Sequence, residues 1–248
     1  MKKYNYLIFD LDNTLLDFSQ SELHALRAVF TKYGVIFNDE TFAVYKEINH
    51  DLWTKLEEGR VKKETVLNTR FSKFFATQGV QVDGAVADNE FRSLLESRND
   101  LIPDGTELLR KLKAAGYEIF AGTNGVGRTQ RERLKNADMI QFFDELYISE
   151  EVGFEKPDVR FFETIFTKET IKNLDEVLMI GDSLTSDIRG ANRVGIDSIW
   201  LNNNFDGVIN DNPTYEVTEL KEIINLFKIW WLTCYTIDIT WIKQDGVI

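Results

Sequence analysis

The chain has 248 residues, a size that suits one large domain or two small ones. Hydrophobic residues make up 43% and charged residues 28%, an ordinary globular balance that argues against disorder. With 29 basic and 41 acidic residues the net charge is −12, which argues against binding to the phosphate backbone of a nucleic acid polymer.

A single cysteine, Cys234, and 2 histidines exclude an internal disulfide framework and leave too few ligands for an ordinary zinc site. The apolar run Leu7-Ile8-Phe9 near the N-terminus is too short for a signal peptide or a membrane span. We therefore expect a cytoplasmic protein that does not bind membranes.

Short apolar runs bounded by polar turns predict strands that are buried on both faces. They lie at residues 6–9, 117–121, 145–148, 177–180 and 198–201. From residue 101 onward these runs alternate with stretches of helical periodicity. Such alternation is typical of a doubly wound parallel α/β sheet, which is the fold class that we predict.

Residues 19–99 break this alternation and have the periodicity of four helices in succession. A helical block between the first and second strands predicts an inserted cap domain, with its two crossings near residues 16–17 and 100–103. The predicted division is a core of residues 1–16 and 101–228, a helical cap of residues 17–100, and a C-terminal extension of residues 229–248.

Polar clusters follow the predicted strands at residues 10–14, 122–125, 153–158 and 181–187. In an open α/β sheet, ligands bind beyond the carboxyl ends of the strands, so we expect the clusters to meet in one crevice. In the first cluster, placing the charged carboxylates of Asp10 and Asp12 beside a buried strand costs free energy unless they share a cation or protons. One could act as a nucleophile and the other as an acid–base group. A polar turn is an equally open interpretation.

The other clusters offer groups that bind phosphate and metal ions. Thr123 and Asn124, with the backbone N–H groups around them, suit a phosphate, although an N-cap and turn would use the same residues. Lys156 could neutralise an anion or lie on the surface. Asp182 and Asp187 are hard oxygen donors suited to Mg²⁺, or they mark the start of a helix.

Taken in order, the four clusters resemble the motifs of the haloacid dehalogenase (HAD) superfamily of phosphotransferases. The matching residues are Asp10, Asp12, Thr14, Thr123, Lys156 before Pro157, Gly181, Asp182 and Asp187. The resemblance covers the chain from residue 5 to about 228. It implies a Rossmann-like HAD core with an α-helical cap.

The resemblance also implies a role for each matching residue. Asp10 would attack phosphorus to form an aspartyl-phosphate, and Asp12 would serve first as general acid and then as general base. Thr123 and Lys156 would hold the phosphate, together with Asn124 from the same cluster. Mg²⁺ would be bound by Asp10, the main-chain carbonyl of Asp12, and Asp182.

The residue type at the position of Asp12 distinguishes the phosphatases of the superfamily from its dehalogenases. Haloacid dehalogenases resemble this chain in fold, but they carry a non-acidic residue at that place and need no metal. The acid at this position therefore predicts hydrolysis of a phosphate ester instead of a carbon–halogen bond.

The cap narrows the expected substrate. Residues 49–53 and the pair Arg70-Phe71 resemble the pyrimidine 5′-nucleotidase branch that hydrolyses non-standard nucleotides. We expect a Mg²⁺-dependent phosphatase acting on a nucleoside 5′-monophosphate. Three alternatives stay open: a sugar-phosphate phosphatase such as the N-acylneuraminate 9-phosphatase, a phosphomutase, and a non-catalytic binding protein on the same fold. For Trp53 and Phe71, stacking on a nucleotide base and packing within the cap are equally open interpretations.

Residues 229–248 extend beyond the family pattern. Mostly apolar residues at every second position from Ile229 to Trp241 favour a strand or hairpin packed on the core or on a partner chain. A homodimer and a mobile extension are both open alternatives.

Overall fold

A computed structural model describes residues 4–202 and 211–227. The strands are β1 Tyr6–Phe9, β2 Glu118–Thr123, β3 Glu145–Ile148, β4 Val177–Gly181, β5 Asp197–Leu201 and β6 Tyr215–Val217. The helices are α1 Phe18–Lys32, α2 Asp39–Glu57, α3 Lys63–Thr77, α4 Gly84–Glu96, α5 Gly105–Ala114, α6 Gly127–Asn136, α7 Ser149–Val152, α8 Val159–Lys168, α9 Arg189–Val194 and α10 Leu220–Phe227. Within these ranges no helix has the length and apolarity needed to cross a membrane. The strand or hairpin predicted for the C-terminal extension lies outside the described residues.

The strands form one parallel sheet in the order β3-β2-β1-β4-β5-β6. This confirms the predicted doubly wound α/β fold. Phe9 at the end of β1 lies opposite Ala121 of β2 and Ile180 of β4, so these three strands end within two residues of one another at the same edge of the sheet. The edge strand β6 was not predicted, because three residues with an exposed Glu216 are too short to show a strand pattern.

The central strand is buried on both faces, as its uninterrupted apolar run predicted. Leu7 and Phe9 pack in one hydrophobic cluster with Leu108 of α5. Ile8 points to the opposite face and packs in a cluster with Phe161 of α8. Helices therefore cover both sides of the sheet, and only the strand ends are left to carry polar groups.

Residues 18–96 fold into the four predicted consecutive helices, α1 to α4. Their contact surface is rich in buried aromatic rings, and Phe30 of α1 stacks on Phe74 of α3 with ring centroids 4.3 Å apart. This cluster is separate from the two clusters of the sheet.

The helical insert leaves and rejoins the sheet at one point. Leu16 forms an isolated bridge with Leu101, and the Asp17 N–H donates to the Asp100 carbonyl at 3.0 Å. The Ile102 N–H donates to the carbonyl of Leu15, also at 3.0 Å. Both chain crossings thus lie beside the polar turn that follows β1.

Gly84 is required where α3 and α4 pack together. A Cβ atom at this position would lie 2.2 Å from the main-chain oxygen of Asn68. We expect Gly84→Ala to lower the free energy of unfolding by about 1–3 kcal/mol, because the helices must move apart. Val86→Ala changes an exposed residue of the same helix and should have little effect in the same denaturation measurement. Equal stability of Gly84→Ala and wild type would show that α3 and α4 are less tightly packed.

Candidate active site

The polar clusters predicted from the sequence meet at the carboxyl ends of β1, β2 and β4. Asp10 follows β1, Thr123 ends β2 and Asp182 follows β4, while Lys156 reaches in from the loop before α8. All four line one cavity of about 310 Å³. Because the parallel strands end at one edge of the sheet, these four residues lie together although they are distant in sequence.

Lys156 is buried at the centre of the site. Its Nζ lies 2.7 Å from Asp10 Oδ1, 2.6 Å from Asp187 Oδ1 and 2.5 Å from the Gly122 carbonyl. Burial alone would lower the pKa of Lys156, but the two carboxylates outweigh it and raise this pKa above its usual value. The ammonium is therefore charged and held by an acceptor for each of its protons.

Asp10, Asp182 and Asp187 crowd around this lysine, with carboxylate oxygens within 4.8 Å of one another. Burial raises the pKa of Asp10 to about 7, and the neighbouring carboxylates oppose the lowering effect of Lys156. Burial and the charge of Asp10 likewise raise the pKa of Asp182 well above its usual value. One ammonium does not balance this much negative charge, so the cluster suits an additional cation.

Asp12 is held by a different set of partners. Its carboxylate accepts hydrogen bonds from Gln130 Nε2 at 2.9 Å and from the guanidinium of Arg133. Both donors are buried and lie three residues apart on α6, so they share one face of that helix. The side chain of Asp12 is thus outside the carboxylate cluster, and its predicted metal contact through the main-chain carbonyl stays a prediction.

Gln130 and Arg133 had no assigned role in the sequence analysis. The signal was their i, i+3 spacing in the helix that follows the second polar cluster. That spacing places them on one helical face, but it does not say that the face meets a turn more than a hundred residues earlier. Only the tertiary structure, in which α6 lies against the turn that follows β1, reveals this contact.

The hydroxyl group of Thr123 can still donate one hydrogen bond. Its Oγ1 accepts from the Gly125 N–H at 3.1 Å and from Gln130 Nε2 at 3.0 Å. Because a hydroxyl oxygen has two lone pairs, these contacts leave its own proton to donate to a further acceptor in the cavity.

Asn124 holds the main chain of Lys156. Its Oδ1 accepts from the Lys156 N–H at 2.8 Å, and its Nδ2 donates to the Lys156 carbonyl at 2.9 Å. The side-chain amide therefore positions the lysine loop, and the predicted contact of Asn124 with phosphate stays a prediction.

The turn after β4 is closely packed around Asp187. A Cβ atom on Gly181 would lie 2.2 Å from Asp187 Oδ2, so only glycine fits there. The same oxygen accepts from the Ser183 N–H at 3.1 Å. Trp200 of β5 donates from Nε1 to the main-chain carbonyl of Asp182 at 2.8 Å. This hydrogen bond holds the backbone that carries the Asp182 carboxylate.

The helical insert forms the opposite wall of the cavity. The residues of this wall are Phe18, Asn49, Trp53, Glu57, Leu67, Arg70, Phe91, Arg92 and Leu95. Trp53 thus faces the cavity, whereas Phe71 is fully buried in the aromatic cluster and serves packing. A ligand bound at the strand ends would lie between the sheet and the insert.

Comparison with known proteins agrees with this architecture. HAD-hydrolase YfnB of Bacillus subtilis strain 168 is 36% identical over 92% of this chain and 97% of its own length. A crystal structure of YfnB bound to magnesium matches with a TM-score of 0.86, at 35% identity over 92% of this chain and 100% of that one. Pyrimidine 5′-nucleotidase PynA of Streptococcus pneumoniae strain R6 is 34% identical over 90% of this chain and 94% of its own.

A more distant structure shares the fold alone. L-2-haloacid dehalogenase from Xanthobacter autotrophicus is 17% identical and matches with a TM-score of 0.72, over 91% of this chain and 98% of that one. The family model described as haloacid dehalogenase-like hydrolase matches residues 7–201. Most of the core and the whole insert lie in that range, and the chain belongs to the haloacid dehalogenase-like hydrolase family.

Proposed function

We propose that this hydrolase is a Mg²⁺-dependent phosphatase that cleaves nucleoside 5′-monophosphates, with pyrimidine nucleotides preferred. The observation that carries the proposal is the buried Lys156 ammonium bound to Asp10, with a second carboxyl group, Asp12, two residues further along the chain. This arrangement offers a nucleophile, a cation for the phosphate and a separate acid–base group.

The reaction proceeds in two displacements at phosphorus. A carboxylate oxygen of Asp10 forms a bond to phosphorus as the bond to the ester oxygen breaks, and Asp12 gives its proton to the departing alkoxide. Water then attacks the phosphorus of the aspartyl-phosphate and gives a proton to Asp12, which frees Asp10 and inorganic phosphate. Gln130 and Arg133 hold Asp12 in place for both steps.

The phosphate oxygens are held from the side of the core. Lys156 provides a buried positive charge, and the Thr123 proton left free by Gly125 and Gln130 donates to a phosphate oxygen. Asn124 keeps the lysine loop in position through its two hydrogen bonds. These contacts recognise the phosphate group. They do not recognise the leaving group of the ester.

The carboxylate cluster fits Mg²⁺ in its donor set and its charge. Asp10, Asp182 and the main-chain carbonyl of Asp12 would hold the ion, and Asp187 would support the site from beside Lys156. Hard oxygen ligands are those that Mg²⁺ prefers. Burial, with the neighbouring carboxylates, raises the pKa values of Asp10 and Asp182, so a bound cation would stabilise both groups in their charged form. The ion would supply positive charge to the phosphate oxygens. The magnesium-bound structure of YfnB supports this assignment.

The insert is the part of the chain that would read the leaving group. We divide the protein into a core of residues 1–16 and 101–228 and a cap of residues 17–100, because the two crossings meet at Leu16 and Leu101. The cap wall has Trp53 against the cavity, where its indole ring suits a planar base. The name of PynA supports a pyrimidine nucleotide.

The proposal is tested by measuring phosphate release from a panel of nucleoside monophosphates and sugar phosphates, with and without Mg²⁺. We expect the highest kcat/KM for pyrimidine 5′-monophosphates, and loss of activity when a chelator removes the metal. A clear preference for sugar phosphates would replace the nucleotidase assignment. Absence of phosphate release from every ester would overturn the phosphatase itself.

A further inference from the structure

The cap wall of the cavity contains a side-chain amide with unused donors. Asn49 of α2 lines the cavity and is only 9% exposed. Its Oδ1 accepts hydrogen bonds from Trp53 Nε1 at 3.1 Å and from Arg70 Nη1 at 3.2 Å. Within the described ranges, Asn49 Nδ2 makes no hydrogen bond. This nitrogen is open to the cavity, where it can donate to water in the free protein and to a ligand that displaces this water.

The two donors to Asn49 determine which end of its amide is nitrogen. A carbonyl oxygen has two lone pairs, and both are used by Trp53 and Arg70. The opposite orientation would bring the NH₂ group against two N–H donors and lose both hydrogen bonds. Asn49 therefore offers donors to the cavity, and it has no acceptor left to offer.

Arg70 is itself held rigidly. Its Nε and Nη2 lie 2.7 and 2.6 Å from Asp88 Oδ1, and both residues are almost completely buried. The guanidinium also lies over the ring of Phe91, 4.8 Å from its centroid. Arg92 Nε binds the other oxygen of Asp88 at 2.7 Å, so both oxygens of this carboxylate are engaged. Because these partners pre-order Asn49, ligand binding costs little side-chain entropy.

Among the described residues, the cap wall has one acidic side chain, Glu57, and it serves a different part of the cavity. Glu57, at the end of α2, lies near Thr185, Asp187 and Lys156 of the core. It therefore faces the phosphate end. Around Asn49 the wall offers N–H donors without a free carboxylate.

We propose that Asn49 determines specificity by donating from Nδ2 to a carbonyl oxygen of the leaving group, an inference that rests on the proposed nucleotidase function. A base with a carbonyl at the contacted position satisfies the amide. A base with an exocyclic amino group there sets donor against donor and leaves both groups unpaired. We assign the contact to the C4 position of the pyrimidine ring, because the C2 carbonyl is common to uracil, thymine and cytosine. At C4 uracil and thymine carry a carbonyl and cytosine carries an amino group, so the Asn49 donor selects uracil or thymine over cytosine.

The sharpest test is Asn49→Asp, measured with uridine and cytidine 5′-monophosphates. This change keeps an oxygen for Trp53 and Arg70 but replaces the donor by an acceptor. We expect kcat/KM for the uridine nucleotide to fall by about tenfold to a hundredfold, and the cytidine-to-uridine ratio to rise at least as much. Asn49→Ala should lower the discrimination without inverting it.

Two controls separate a change in recognition from a general defect. Asn89→Asp makes the same chemical change at an exposed position of α4 and should leave the ratio unaltered. Turnover of p-nitrophenyl phosphate, which carries no base, should fall less in Asn49→Asp than turnover of uridine 5′-monophosphate. The dissociation constants of the nucleosides uridine and cytidine, measured by calorimetry, should shift in the same directions as kcat/KM.

Each outcome decides a separate question. If wild type cleaves nucleotides and folded Asn49→Asp keeps the wild-type ratio, the role of Asn49 is overturned while the nucleotidase stands. If Asn49→Asp does not fold, an unchanged ratio in Asn49→Ala overturns the role equally well. If wild type cleaves sugar phosphates and no nucleotide, the proposed function and this inference fail together.

Discussion

Asp10→Asn is expected to abolish phosphate release and leave the protein folded. The amide has nearly the shape of the carboxylate, but it is not a competent nucleophile, and loss of a nucleophile costs on the order of 10⁴–10⁶ in turnover. Lys156 keeps Asp187 and the Gly122 carbonyl as partners. The substitution also removes one of three crowded carboxylates, so the metal-free unfolding temperature should be at least that of wild type.

The measurement is phosphate release together with thermal unfolding. Asp39→Asn makes the same chemical change at an exposed residue in the first turn of α2, and it should retain wild-type activity. Mass spectrometry of acid-quenched mixtures should find a phosphoryl group on wild type and on Asp39→Asn, but not on Asp10→Asn. Near-normal turnover by folded Asp10→Asn would rule out the covalent pathway.

Asp12→Asn is expected to reduce turnover of nucleotides by about 10²–10⁴, the usual contribution of a positioned acid–base group. The amide can neither protonate the departing alkoxide nor accept the proton of the attacking water. It also offers only one oxygen where Gln130 and Arg133 each bind one. One of these buried donors is then left without a partner.

The choice of substrate separates the two roles of Asp12. The nitrophenolate of p-nitrophenyl phosphate leaves without a proton, so Asp12→Asn should still form the aspartyl-phosphate on Asp10. We expect a burst of nitrophenol that is stoichiometric with the enzyme, followed by slow turnover, because water lacks its base. Rapid steady-state turnover without a burst would assign the acid–base role to another residue.

The strands and most of the helices could be predicted because their signals are local. A strand buried on both faces has an uninterrupted apolar run, and β1 to β5 each show one. The helices of the insert show apolar residues at helical spacing, which predicts four consecutive helices within residues 19–99, as α1 to α4 confirm. The edge strand β6 has no such run, and its formation depends on pairing with β5.

The arrangement of the site was predictable at the level of the strand ends and no further. Parallel strands end at the same edge, so Asp10, Thr123 and Asp182 had to be neighbours once the sheet was correct. The sequence also contained the order of the motifs, and this order carried the resemblance to the HAD superfamily. The four motifs, taken together in this order, predicted phosphoryl transfer as the chemistry of the site.

Only the tertiary structure decided which side chains hold the reacting groups. Gln130 and Arg133 bind Asp12 across 118 and 121 residues of sequence. Asn49 is oriented by Arg70, which lies 21 residues away on the next helix. Periodicity tells which face of a helix is buried, but it does not tell which partner that face meets. Hydrogen bonds depend on distance and direction between specific atoms, and these are set by how the insert and the sheet pack together.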